Sequence, residues 1–224
     1  MGAKRKQIQS FIVRDCALAA IATGRRAQNL RELRDHLLTV NEDSIYYHFW
    51  GGLLRPRFDD PEYNNDFAAW AIHSLHDAAL AERLGIIDPT DFGDLKGLRG
   101  ELIEVIEERL AETELVPWAK PDQQFAFIRS QIVVFNTRRE LSHPRELPRA
   151  AANMSLGSIF FHLIDARRRT PDRIDDFRTW LRDLGPRYDD LRRDLAAVDP
   201  YFNTLANLRS EISLIFSKHL GRGE

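Results

Sequence analysis

Ser44-Ile45-Tyr46-Tyr47-His48-Phe49 returns further along the same chain as Ser158-Ile159-Phe160-Phe161-His162-Leu163. The echo extends to both sides. Upstream, Thr23 and Arg25 match Thr137 and Arg139, and Leu33 falls on Leu147. Downstream, after about four extra residues in the first copy, Asp66-Phe67 and Trp70 match Asp176-Phe177 and Trp180. Asp88-Pro89 then pairs with Asp199-Pro200, and Leu98-Arg99 and Glu101 pair with Leu208-Arg209 and Glu211. Chance supplies one such pair but not the ordered series. Repeat units cannot bury their apolar faces alone, so two copies are expected to share one core.

The local pattern reads as helical almost throughout. Apolar residues recur at spacings of three and four, as in Leu98, Leu102, Ile106 and Leu110. The predicted helices of the first copy cover 8–22, 28–40, 43–54, 62–84 and 90–114. Those of the second cover 122–136, 155–168, 171–184, 186–197 and 200–219. Between them, 143–152 is expected to be short or irregular because of Pro144 and Pro148. The β-branched run Ile132-Val133-Val134-Phe135 sits inside a longer helical pattern and is read as helix. Gly24 suits a helix stop, Asp43 a cap, and Asp88-Pro89, Thr170-Pro171 and Asp199-Pro200 helix starts. The expectation is therefore an all-α fold of about nine to ten helices, a tandem duplication of a roughly 110-residue helical unit around a pseudo-twofold axis. The repeats, about 8–116 and 122–220, are expected to form a single compact domain over 1–224, joined by the linker Val116-Pro117-Trp118-Ala119-Lys120-Pro121. The Gly- and Asp-rich stretch 51–65 carries the first copy's insertion and reads as a tolerated surface insertion, with a working loop as the alternative.

Composition narrows the function classes. The chain has 224 residues, one cysteine and a net charge of -2. A chain this long buries roughly 70% of its unfolded surface, enough for a core without disulfides. A lone Cys16 fits a reducing compartment, so a cytoplasmic location is expected. The basic start at Met1-Gly2-Ala3-Lys4-Arg5-Lys6 is followed by an apolar run broken at Arg14-Asp15, which argues against an export signal. No uncharged stretch approaches the roughly 18 to 20 residues of a membrane span. Residues 1–114 hold 14 basic and 20 acidic residues, and the remainder 18 and 14. Basic clusters at Arg138-Arg139, Arg167-Arg168-Arg169 and Arg192-Arg193 are interspersed with acids and accompany no recognition motif, which argues against nucleic acid.

The candidate ligand-binding residues are the matched polar ones. His48 and His162 sit among apolar residues, so both imidazoles are expected inside, where a ring needs partners. They could ligate or act as bases at the junction of the repeats, or each could be held by a local carboxylate, hydroxyl or carbonyl. Arg99, Glu101, Arg209 and Glu211 form the second matched set. Members of each pair lie two apart on a helix, so they face different sides and need partners elsewhere, such as Asp66, Asp176, Arg25, Arg139 or a histidine. His73 and His76, at i and i+3 on one helix face, are a weaker metal-ligand candidate, with solvated surface histidines the alternative. The phosphate-loop, dinucleotide-binding and nucleophile-elbow motifs are absent, and Cys16 reads as a small core residue.

Thr23 to Leu33 (TGRRAQNLREL), then Ser44 to Phe49, then Asn65-Asp66-Phe67-Ala68-Ala69-Trp70, resemble a prokaryotic all-helical family, the domain of unknown function 5752. The resemblance covers most of the chain and implies one compact helical unit. It brings no activity, cofactor or site residue with it. Two readings follow. One is a helical binding protein without catalysis, engaging a protein partner or a second copy of itself. The other is a ligand- or metal-binding protein, or an enzyme, with its site between the repeats at His48 and His162.

Overall fold

The computed structural model describes residues 10–55, 62–112 and 121–221. Most of the linker 116–121, the centre of the loop 51–65 and the first six residues lie outside the described residues. The all-helical expectation is overturned at two places. Phe11–Ala27 (β1) and Phe125–Leu141 (β2) are strands of 17 residues each and pair in a two-stranded sheet. Thr23 lies against Phe127 and Val13 against Thr137, so the strands run antiparallel. The helices expected over 8–22 and 122–136, the latter including Ile132-Val133-Val134-Phe135, are these strands instead. Ladder pairing and aromatic burial override local propensity here. Phe11 and Val13 are buried with Ile12 exposed, and Phe125 and Phe127 are buried with Ala126 exposed. That alternation is the signature of a strand with one buried face.

Left-handed residues mark both strands. Gly24 has φ +77° and Arg138 φ +58°. Beside each, a threonine makes the same pair of bonds. Thr23 Oγ1 donates to the Phe127 carbonyl and accepts the Arg25 N–H, and Thr137 Oγ1 donates to the Val13 carbonyl and accepts the Arg139 N–H. Gly24 is thus a strand residue and not a helix stop.

The helices follow in order: α1 (Leu30–Leu37), α2 (Glu42–Trp50), α3 (Asp66–His73), α4 (Ala78–Gly85) and α5 (Leu95–Glu112) precede β2. After it come α6 (Leu147–Ala152), α7 (Leu156–Ile159), a π-helical segment (Phe160–Asp165), α8 (Ala166–Arg169), α9 (Asp176–Asp183), α10 (Asp189–Ala196) and α11 (Leu205–Leu220). Several begin later than predicted. Asp88 and Asp199 close local turns onto Thr90 and Tyr201, while Asp94 accepts the Gly97 N–H in the first turn of α5 and Thr204 caps α11. Thr170 ends α8, and α9 starts at an Asp175 cap. Asn41, not Asp43, caps α2. The predicted helix 62–84 is two helices, separated at Ser74–Asp77 where His76 adopts φ +55°.

By contacts the chain divides into two compact units whose boundaries fall inside the strands. The N-terminal unit is Leu18–Ile132: most of β1, helices α1–α5 and the first half of β2. The C-terminal unit holds residues 10–17 and 133–221: the start of β1, the end of β2 and helices α6–α11. In the N-terminal unit Phe125 stacks on Phe67, with ring centroids 5.1 Å apart. In the C-terminal unit Phe11 stacks on Phe177 at 5.2 Å.

The strand approaches α7 closely. A Cβ on Gly157 would stand 2.3 Å from both the Cys16 carbonyl and the Asp15 carboxylate, and the Cys16 thiol donates to the Gly157 carbonyl at 3.3 Å. Gly157→Ala is expected to lower stability by roughly 1–3 kcal/mol through this overlap. Gly100→Ala, inside α5 with nothing within 4 Å, is expected to raise it by about 0.5–1 kcal/mol. Urea unfolding of the two variants checks the pair. Equal effects would show that the strand and α7 do not meet this way.

Candidate functional site

Each unit carries one of the matched histidines, and each is placed by capped helices. In the N-terminal unit Asn41 caps α2, which carries His48. Asn65 caps α3 by accepting the Ala68 N–H at 2.8 Å and is itself tied to the Leu84 carbonyl at 2.9 Å. That places Asp66 in the first turn of α3. His48 is 3% exposed, and its Nδ1 lies 2.8 Å from Asp66 Oδ2. Its Nε2 accepts the backbone N–H of Ile128, on β2, at 3.1 Å. Arg55 reaches the same Asp66 oxygen at 3.0 Å while its guanidinium lies 4.8 Å from the centre of the Tyr47 ring.

The C-terminal unit repeats this arrangement with other residues. His162 Nδ1 lies 2.7 Å from Asp176 Oδ2, and Nε2 accepts the Arg14 N–H, on β1, at 2.9 Å. Arg169 donates to Asp176 at 3.1 Å and covers the Phe161 ring at 3.9 Å. It also bonds the buried Asp165 at 2.8 Å and the Phe161 carbonyl at 2.9 Å. Around His162 the helix is π-helical, a widened turn often found beside sites where a side chain must be re-aimed.

The chemistry of these clusters follows from the donors. A ring nitrogen that accepts an N–H carries no proton, so both imidazoles are neutral, with the proton on Nδ1 facing the carboxylate. Burial pushes His48 below its ordinary value, against the opposing pull of Asp66. Burial acts to raise Asp66, but the His48 hydrogen bond and Arg55 outweigh it and hold the carboxyl below the usual range. The result is a bridge, strand N–H to imidazole to carboxylate to guanidinium, and it leaves neither ring nitrogen open.

The other predicted residues go elsewhere. Arg99 donates to the Val40 carbonyl at 2.6 Å, and Arg209 to the Met154 carbonyl at 3.1 Å. Both hold the chain after a short helix. Glu101 is half-buried on α5, and Glu211 on α11 accepts from Asn203 at 3.4 Å. His73 ends α3 exposed, and His76 lies in the following turn, its Nε2 2.8 Å from Asp122. The helix break takes these two histidines off a shared helix face. Among the described residues no three His, Cys, Asp or Glu side chains group to hold a metal ion, and no helix is long and apolar enough to cross a membrane. The sequence analysis missed Arg55 and Arg169 and the two strand amides. The arginines stand at the same spacing as the His pair, so matching the copies one step further would have found them.

A helix-and-ribbon protein with a buried histidine bridged to an aspartate and an arginine in each unit is the class that this fold and site define. The chain belongs to the family described as a family of unknown function (DUF5752), whose model matches residues 8–217. Among solved structures it is similar to the structure of OrfY from Thermoproteus tenax, with a TM-score of 0.81 and 24% identity over 94% of this chain and 95% of that one. That likeness bears on the fold alone. Comparison with curated proteins finds no match.

Because the folded His48 resists protonation, the unfolded chain takes up a proton first as pH falls. Stability from this group is full above the ordinary histidine value of 6.5 and is lost as pH drops below it. The limiting slope is about 1.4 kcal/mol per pH unit. Urea unfolding between about pH 7.5 and 5.5 should show His48→Gln less stable than the wild type at the upper end and flatter with pH. Parallel pH curves would mean that the ring is not held neutral.

Proposed function

We propose that this is a binding protein without catalysis, acting on another polypeptide or on a second copy of itself. The observation that carries this reading is the engagement of both nitrogens of His48 and of His162. A general base needs a ring nitrogen that can reach a substrate proton, and here each Nε2 faces a strand amide. The residues that looked most like catalytic groups fasten helices to strands.

The surface supplies a counterpart. Val133, Val134 and Phe135 of β2 are consecutive and exposed, Phe135 to 50%. Successive strand residues point to opposite faces, so both faces of β2 are open along this stretch. Apolar exposure of this kind marks interaction sites. In the basic cluster Arg167-Arg168-Arg169, Arg168 and Arg169 are paired with the buried Asp165. That supports a protein surface over nucleic acid as partner. A cytoplasmic location belongs to the same reading. It is in keeping with the single cysteine, whose buried thiol is pushed up to about 12, first by burial and then by Asp165 and Asp15.

Sedimentation velocity tests the self-association form. The wild type is expected to sediment as a dimer or larger at micromolar concentration, and Val134→Lys with Phe135→Lys as a monomer of unchanged melting temperature. A monomeric wild type, or a double variant that associates as before, removes this surface from the reading.

A further inference from the structure

Within the C-terminal unit, α9, α10 and the turn before α9 flank an open concavity of about 310 Å³, lined by Ile174, Arg178, Asp189, Arg192, Arg193 and Ala196. Three of its six residues are arginines. Arg178 has 15% of its side chain exposed and is held by Asp175, which is fully buried, through one guanidinium nitrogen at 2.5 Å. Arg192 and Arg193 are each steadied by one aspartate of the same helix, at 2.7 and 3.0 Å. A guanidinium has five N–H donors, so single contacts of this kind orient the groups and leave donors for a further acceptor.

The N-terminal unit shows what the same place looks like when it is filled. Helices α3 and α4 match α9 and α10 in length, and by position Arg178 corresponds to Ala68, Arg192 to Ala81 and Ala196 to Gly85. Both alanines are fully buried. The Tyr63 ring lies against Gly85, where a Cβ would come within 2.7 Å of it, and the Tyr63 hydroxyl is bonded to Glu82 at 3.0 Å. The C-terminal unit has arginines where the N-terminal unit has small residues under a tyrosine.

We propose that this concavity is a binding site for a small phosphomonoester, its phosphate held by Arg178, Arg192 and Arg193 and its organic part lying against Ile174 and Ala196. Guanidinium groups match phosphate geometry, and the volume is at the lower end of small-molecule sites, larger than a bare phosphate needs. The site is independent of the exposed stretch of β2.

Calorimetric titration of the full chain with phenyl phosphate, and separately with inorganic phosphate, tests it. The expected result is saturable binding of one phenyl phosphate per chain, competed by inorganic phosphate. Binding should weaken at least about tenfold in Arg192→Gln and in Ala196→Phe, which fills the space without removing a charge. Arg83→Gln, in the N-terminal unit, should bind as the wild type does. Melting temperatures confirm that the variants fold. No saturation by about 10 mM, or unchanged binding in both folded pocket variants, overturns the proposal.

Discussion

A neutral imidazole joins a strand amide to a helix carboxylate twice in this protein, and the rest of the architecture is arranged around that join. The buried imidazole needs a partner on each nitrogen; the strand amide supplies a donor and the half-buried carboxylate in the first turn of α3 or α9 an acceptor. The aromatic residues pack against it: Phe125 and Phe67 around His48, Phe11 and Phe177 around His162. In the N-terminal unit the His48 hydrogen bond and the Arg55 guanidinium together hold the Asp66 carboxyl below the usual range against the effect of burial. Remove the carboxylate and the buried ring nitrogen facing it is left without its partner, a cost of about 1–3 kcal/mol.

Much of this could be read from the chain, and the remainder fails for identifiable reasons. The duplicated block pointed to two buried histidines, and the matched Asp66 and Asp176 were among the partners considered for the conserved charges of the two copies. Helices with an apolar stripe were legible because three-and-four spacing survives in α1, α5, α9 and α11. The strands were not, because Ala17–Ala22 favours helix by composition and only the brief alternation at Phe11-Ile12-Val13 and Phe125-Ala126-Phe127 signals otherwise. Helix starts slipped because an aspartate before a proline can equally close a turn, as Asp88 and Asp199 do. The His73–His76 pair looked usable only on an unbroken helix, and the left-handed residue at His76 is invisible to spacing. Partners drawn from the backbone, such as the N–H groups of Arg14 and Ile128, leave no mark on residue type at all.

The two units keep the same bridge and differ around it. Asp165 gives Arg169 a second carboxylate, where Gly51 stands at the matching position of the other copy. The space that Tyr63 fills between α3 and α4 is rimmed by guanidinium groups between α9 and α10. The bridges thus hold a common frame, and the residues outside them vary.

The division of β1 and β2 between the units has a consequence for synthesis. Phe11 and Val13 leave the ribosome before their partners, and those of Phe11, at His162, Phe177 and Trp180, come roughly 150 to 170 residues later. At translation rates of about 5–20 residues per second, that is a wait of about eight to thirty seconds with two apolar side chains unburied. The N-terminal unit is likewise incomplete until Phe125 and Phe127 emerge. Neither unit can close from a continuous half of the chain, so the order of assembly on the ribosome runs opposite to the order of the residues for the first strand.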